Sequence, residues 1–301
     1  MSEARFSPYL VLGIGVTTVS WSAILVREAD APALVIAAYR MSLAALPVGA
    51  LAVLQHRHRP EPLSAGALGP LFLSAVFLAA HFGFWITALQ HTSVVTAVVL
   101  MATQPLFVGL ASPLLLGESV DRRVWLALLI AVAGTMAMAV EDFGEGLGTV
   151  AGDVYAVLGG AFAAGYIMVG RWARPGTSWL RYVGTVYPVT AALLLASMFA
   201  AGDSPTGYST KTLVVIGLLA LGPQLIGHSA INWSLGYLPA VVVAIAILVE
   251  PVVATALAAV ILDEQPTALE ALGGLVVLVG VYFGLRPGRT EVVTAELSTA
   301  K

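Results

Sequence analysis

The chain alternates between long apolar runs and short polar connections. Each run is close to the ~20 residues that a helix needs to cross a bilayer. None shows the two-residue alternation of a lipid-facing barrel strand. The pattern predicts an all-α integral membrane protein with ten transmembrane helices, near residues 9–26, 33–54, 68–89, 94–116, 124–140, 150–169, 182–200, 213–235, 240–262 and 269–285.

Composition agrees with a membrane location. The 301 residues are 59% hydrophobic and 10% charged, whereas soluble domains carry about 25% charged residues. The chain has no cysteine, which excludes disulfides and thiolate metal sites. Its weakly basic start, MSEARFSP, lacks a small-residue cleavage site after the first run. We therefore expect a retained first helix rather than a signal peptide.

The placement of lysine and arginine predicts the orientation in the membrane. With the amino terminus inside, eleven of the 14 basic residues fall on inner segments. Arg27 and Lys211 fall outside, and Arg40 lies within a run. Because inner loops are enriched in lysine and arginine, both termini are predicted to be cytoplasmic, in the inner (plasma) membrane.

An internal repeat relates the two halves of the chain at a constant offset of 146 residues. Its most informative matches are proline, glutamate and glycine, which are rarer here than leucine and valine. The matching pairs are Leu89 and Leu235, Pro105 and Pro251, Glu118 and Glu264, and Gly134 and Gly280.

The repeat predicts the domain organisation. We expect a first five-helix repeat at 1–142, an outside linker at 143–152, a second repeat at 153–285 and a cytoplasmic tail at 286–301. Five helices are an odd number, so the two halves must enter the membrane with opposite orientation. Inverted-topology repeats place a binding site near the bilayer midplane, between the halves.

Two proline motifs at matching places of the repeat are the main candidates for chemistry. Glu250-Pro251 lies inside an apolar run, where a carboxylate is costly and is commonly functional. It can bind a proton or a substrate amine, or it can form an internal pair that stabilises a kinked bundle. Its counterpart, Gln104-Pro105, can bind substrate or cap the carbonyl groups that the proline frees. We expect both motifs to face one cavity, with the two prolines in a structural role.

Further polar residues are spaced along helix faces. Gln224, His228 and Asn232 are four residues apart and predict a polar stripe that lines a cavity or bonds to another helix. His81 and Trp85 repeat this spacing, and histidine is either a proton carrier or a packing residue.

Three other residues are weaker candidates for the cavity. Arg40 can hold a substrate carboxylate, pair with Glu28 or Asp30, or extend to the outer interface. Trp21 and Tyr166 hold corresponding places in the first and sixth runs and predict an aromatic wall for an apolar or cationic substrate.

Small residues predict how the halves pack. Gly134, Gly280 and Gly284 are expected to let the fifth and tenth helices approach closely. Glu118 and Glu264 precede the next helices, where a negative charge favours the helix dipole.

The sequence resembles the drug/metabolite transporter superfamily, in its ten-helix EamA-like branch. The resemblance spans both halves and rests on five segments: SWSAILV, AAYRMSLAALP, HFGFWITALQHTS, QPLFVGLASPLLLGE and VEPVVATALAAVILDE. It implies a secondary transporter of small metabolites, and often an exporter of amino acids or related compounds.

These observations predict a transporter that is not an enzyme and has no cofactor or metal. Within transport, the alternative is another polar metabolite: a nucleobase, a sugar or a lipid-linked headgroup. An intramembrane enzyme would need a nucleophile–base pair or an H-E-x-x-H motif, which the sequence lacks. A scaffold would typically carry a soluble domain. The expected partners are a small-molecule substrate, protons as coupling ion and the bilayer, without nucleic acid, in a monomer or weak homodimer.

Overall fold

The computed structural model describes residues 6–58, 65–92, 94–138, 140, 149–261 and 265–286. Throughout these ranges the regular secondary structure is helical. The α-helices are α1 Pro8–Val19, α2 Ser22–Glu28, α3 Ala33–His58, α4 Ala65–His91, α5 Val94–Met101, α6 Gln104–Leu115, α7 Arg122–Met138, α8 Val150–Ala173, α9 Trp179–Ala200, α10 Thr210–Leu219, α11 Ser229–Ser234, α12 Ala240–Ile247, α13 Glu250–Ile261 and α14 Ala268–Leu285. A 3-10 turn at Arg174–Gly176 follows α8, and a π-helix at Ala220–His228 joins α10 to α11.

Nine helical stretches of the described residues are long and apolar enough to cross a membrane. They have 18 to 27 residues and a mean hydropathy of 1.4 to 2.5. Five of them are built from consecutive segments: Pro8–Glu28, Thr96–Leu115, Val150–Gly176, Thr210–Ser234 and Ala240–Ile261. The fifth predicted run forms α7, which has 17 residues and is one residue shorter than the shortest of the nine.

The distribution of polar groups is that of a membrane protein. Large apolar side chains face outward, as Leu114 and Val260 show with exposures of 85% and 81%. Arg40, Gln224 and Asn232 are fully buried inside the bundle. Because hydrocarbon cannot satisfy polar groups, this arrangement suits a lipid surrounding. The chain is a multi-pass helical membrane protein.

The main helix contacts follow a symmetric pattern between the two halves. The α4 helix of the first half packs on α8 of the second half. The symmetry-related contact is the one that α1 makes with the π-helix and α11. Two further contacts pair corresponding helices of the halves: α3 with α9 and α7 with α14. The α6 helix packs on α12, the counterpart of α5, and both α5 and α6 also pack on α8. Such a pattern arises when two similar halves face each other around a two-fold axis.

The α7–α14 contact depends on glycine. A Cβ atom at Gly134 would lie 2.7 Å from the Gly273 carbonyl oxygen, and one at Gly280 would lie 2.6 Å from the Ala131 nitrogen. A Cβ at Gly284 would meet the Ile245 side chain at 2.9 Å. Any side chain at the first two positions would push the two helix backbones apart.

Candidate functional site

Two of the spanning stretches break at their proline motifs. The gap between α5 and α6 precedes Gln104-Pro105, and the gap between α12 and α13 precedes Glu250-Pro251. Proline has no N–H to donate to the preceding turn, so an α-helix cannot run through it unchanged. Each break leaves a polar side chain at the first position of the new helix, deep inside the bundle.

Gln104 and Glu250 line one narrow cavity of about 50 Å³ between the two halves. Both are buried, with exposures of 4% and 6%. A smaller space of about 10 Å³, between the two proline motifs, adjoins the same pair. The other polar or aromatic side chains of the main cavity come from both halves: Ser22, His81, Trp85, Tyr166 and His228.

The cavity is too small for a metabolite in this conformation. Its volume suffices for a few water molecules, whereas ligand sites usually measure roughly 300–1,000 Å³. The helices around it must therefore separate before a larger ligand can enter.

His81 and His228 face each other across the cavity, with ring centroids 6.3 Å apart. His81 Nδ1 donates to the Gly159 carbonyl oxygen at 2.9 Å, because that oxygen can only accept. This bond directs the other ring nitrogen away from α8. Trp85 stacks on His81 at a centroid distance of 6.1 Å, and its indole nitrogen has no hydrogen-bond partner among the described residues.

Arg40 is fully buried beside the cavity rather than in its wall. Its Nε donates to Gln224 Oε1 at 3.1 Å, and its guanidinium carbon lies 4.3 Å from the centre of the Phe82 ring. The guanidinium also interacts electrostatically with Glu250. Two of the roles expected for Arg40 do not fit. Arg40 is fully buried and so does not extend to the outer interface, and Glu28, one of its expected partners, pairs instead with Lys211 at 2.7 Å.

The three polar residues of the eighth predicted run have two different positions. His228 lines the cavity, whereas Gln224 and Asn232 lie behind the wall. Asn232 Nδ2 donates to the Tyr166 hydroxyl at 2.6 Å and so fixes a phenol that does line the cavity. Tyr187, which shares a hydrogen bond of 3.1 Å with Ser229, extends this buried network.

Trp21 differs from its expected position. It lies in the break between α1 and α2 and is 39% exposed, so it does not share the cavity with Tyr166. The break places Ser22 in the cavity wall instead, and within the part of the chain that the structure describes its hydroxyl has no hydrogen-bond partner.

A second polar cluster joins helix ends of the two halves. Glu118 Oε1 accepts from Arg171 Nε at 2.5 Å, and Oε2 accepts from the Ala240 N–H at 2.9 Å. Arg171 also donates to the Leu235 carbonyl oxygen at 3.0 Å. Gly117, with φ of 65°, makes the turn that presents Glu118 to this cluster. The carboxylate thus caps α12 of the other half rather than the helix that follows it in the chain; Glu264 lies outside the described residues.

The fold and the cavity define a class: a multi-pass membrane protein of two similar halves that enclose a polar centre. The model of the EamA-like transporter family matches residues 7–140 and 150–286, nearly the whole chain in two copies. The chain belongs to this family.

Two individual relatives are transporters by name. The chain is 29% identical to the pseudopaline exporter CntI of Pseudomonas aeruginosa, over 85% of this chain and 87% of that protein. It is 26% identical to an uncharacterized transporter of Archaeoglobus fulgidus, over 71% and 74% of the two chains. A WAT1-related chloroplastic protein of Arabidopsis thaliana is also 26% identical, over 82% of this chain and 61% of its own length.

A crystal structure of a protein superposes with a TM-score of 0.73, at 18% identity, over 93% of this chain and 98% of that chain. At this identity the match shows the fold alone.

Proposed function

We propose that this protein is a secondary active transporter that exports amino acids or related small metabolites across the inner membrane by alternating access. One observation carries the proposal. A narrow cavity between the two halves receives Gln104 from one proline break and Glu250 from the other. A site between two such halves is what alternating access requires, because each half can open it to one side of the membrane.

The chemistry of the cavity supports a substrate with an amine. Glu250 supplies a carboxylate, and Trp85 and Tyr166 supply aromatic faces that attract cations. The name of the Pseudomonas relative supports export as the direction. We further propose protons as the coupling ion, with Glu250 as the group that binds and releases them.

The proposal includes the membrane topology. The 17 residues of α7 are within the range that spans a bilayer, so we propose ten spanning helices in two inverted repeats, with both termini cytoplasmic. The partners we propose are the small-molecule substrate, protons and the bilayer, with the protein acting as a monomer or weak homodimer.

Alternating access is testable with cysteine labelling, because the chain has no native cysteine. Ile247 lines the cavity, whereas Val243, one turn earlier on α12, is fully buried away from it. We expect Ile247→Cys to react with a charged, membrane-impermeant thiol reagent in both right-side-out and inside-out vesicles. Val243→Cys is the matched control and should stay unlabelled from either side. Reaction of Ile247→Cys from one side only contradicts alternating access.

The substrate class is tested by counterflow in proteoliposomes preloaded with radiolabelled L-amino acids, nucleobases or sugars. We expect exchange of L-amino acids. The stacked rings of His81 and Trp85 also suit a flat nucleobase, so uptake of nucleobases without amino acids would favour that alternative.

A further inference from the structure

We propose that Arg40 and Gln224 form a carboxylate-binding subsite behind the cavity, which holds the acidic end of a zwitterionic substrate. Glu250 binds the ammonium end of the same molecule. This inference rests on the proposed function and assigns its substrate class to two named ends of the site.

The first observation is a buried cation whose donors are unused. Arg40 has no exposed surface, and neither Nη1 nor Nη2 has a hydrogen-bond partner among the described residues. No carboxylate of these residues lies within 4 Å of the guanidinium. Gln224 Nε2 likewise has no hydrogen-bond partner within 3.5 Å among them, although the Tyr187 hydroxyl lies near it. Three N–H-bearing groups of these two neighbouring side chains are therefore available to an acceptor.

An arrangement of this kind is costly to the folded protein. Removing a charge from water is compensated only when a counterion and further hydrogen bonds satisfy it. Here the guanidinium has one hydrogen bond, to Gln224, one contact with the Phe82 ring, and longer-range electrostatic interactions with Tyr187 and Glu250, but no ion pair within 4 Å among the described residues. A substrate carboxylate would supply a directly bonded counter-charge and accept from both Nη atoms in the bidentate geometry that arginine favours.

The second observation is the local structure that presents Gln224. It lies within the nine-residue π-helix Ala220–His228, which also contains Pro223. Segments of π-helix are rare and often occur at functional sites. Gln224 uses its Oε1 to hold Nε of Arg40, which leaves the two Nη atoms directed elsewhere.

The subsite is one aromatic ring away from the cavity. Phe82 contacts the guanidinium on one side and meets the His228 ring on the other, at a centroid distance of 5.2 Å. His228 lines the cavity. Displacement of Phe82 as the helices separate would join the subsite to the cavity that Glu250 lines.

The test uses the purified full-length protein and a matched pair of probes, L-leucine and its decarboxylated amine, 3-methylbutylamine. We expect Arg40→Gln to weaken L-leucine binding by about ten- to a hundredfold, the usual loss for a hydrogen bond to a charged group, with amine binding unchanged. An equal loss for both probes overturns the proposal, because a structural role for Arg40 does not distinguish them.

Gln224→Glu places a permanent carboxylate beside Arg40 and imitates the bound substrate. It should raise the melting temperature of the ligand-free protein and abolish L-leucine binding. Gln265→Glu, which adds the same charge at an exposed position before α14, is the control and should do neither. Stabilisation by Gln224→Glu with L-leucine binding retained contradicts the subsite.

The variant Arg40→Met tests the role of Arg40 without any ligand probe. Arg40→Met removes the unpaired charge, so the melting temperature without ligand should stay the same or rise. A fall of more than about 4 °C, roughly 1 kcal/mol or more for a chain of this size, overturns the proposal. If neither probe binds the unmodified protein, the amino-acid assignment fails, while the melting temperatures still decide the role of Arg40.

Discussion

The contact between α7 and α14 provides a quantitative test of how the two halves are joined. Gly280→Ala adds one methyl group at the closest approach of the two helices. Its Cβ would lie 2.6 Å from the Ala131 nitrogen, 2.8 Å from the Ala127 carbonyl oxygen and 2.8 Å from the Ala131 Cβ. Two of these atoms belong to the backbone of α7, so no side-chain rotation can relieve the clash.

The size of the effect follows from two opposing terms. Overpacking of this kind costs about 1–3 kcal/mol, because the helices must move apart locally. Alanine is favoured over glycine inside a helix by roughly 0.5–1 kcal/mol. We expect Gly280→Ala to lower the free energy of unfolding by about 1–2 kcal/mol, which corresponds to a melting temperature lower by about 2–8 °C.

Gly217→Ala is the matched control for this substitution. Gly217 also lies inside a helix, α10, but a Cβ there would have no atom within 4 Å. Only the helix term remains, so its melting temperature should rise slightly. Both variants are compared by thermal unfolding in the same detergent. Equal melting temperatures for the two would refute close backbone contact at α7 and α14.

Two further predictions concern function. Glu250→Gln keeps the shape of the side chain, but the amide cannot bind and release a proton. Transport in reconstituted vesicles should therefore no longer follow an imposed pH gradient. Unchanged dependence on the pH gradient would exclude Glu250 as the coupling group. Glu118→Gln removes the charge that holds Arg171 and weakens the bond to the Ala240 N–H. We expect Glu118→Gln to accelerate thiol labelling of Ile247→Cys from the membrane face at which this cluster lies. Equal labelling rates with and without Glu118→Gln would show that the cluster is not a barrier.

The positions of the helices were predictable because a membrane imposes one simple requirement. The run at 33–54 forms α3 at Ala33–His58, and the run at 269–285 forms α14 at Ala268–Leu285. About 20 apolar residues are needed whatever the tertiary structure, so the local sequence is sufficient evidence. The polar side chains then have to point inward, which is why Glu250 and Gln104 could be expected together.

The local breaks were less predictable. The break between α1 and α2 contains Ser20 and Trp21 but neither glycine nor proline, and it turns Ser22 rather than Trp21 toward the cavity. The π-helix at Ala220–His228 likewise depends on its surroundings. Spacing by four predicts that its polar residues share one face, but it cannot divide them between cavity wall and supporting network.

Long-range contacts were beyond sequence reasoning altogether. Glu118 was assigned to the dipole of its own next helix because that helix is adjacent in sequence. The structure pairs it instead with Arg171, 53 residues away, and with Ala240, 122 residues away. Only the tertiary arrangement of the halves brings these groups together.

A symmetric frame with asymmetric charges has a mechanical consequence. The helix pairs α3–α9 and α7–α14 join corresponding helices of the two halves. The charged groups do not follow this symmetry: the first half supplies Arg40, whereas the second supplies the carboxyl group of Glu250. Under the alternating access and the carboxylate subsite proposed above, a substrate with opposite charges at its ends has one favourable orientation, and it is the same orientation in both access states. Such a transporter would change the side to which its cavity opens without requiring its substrate to turn over.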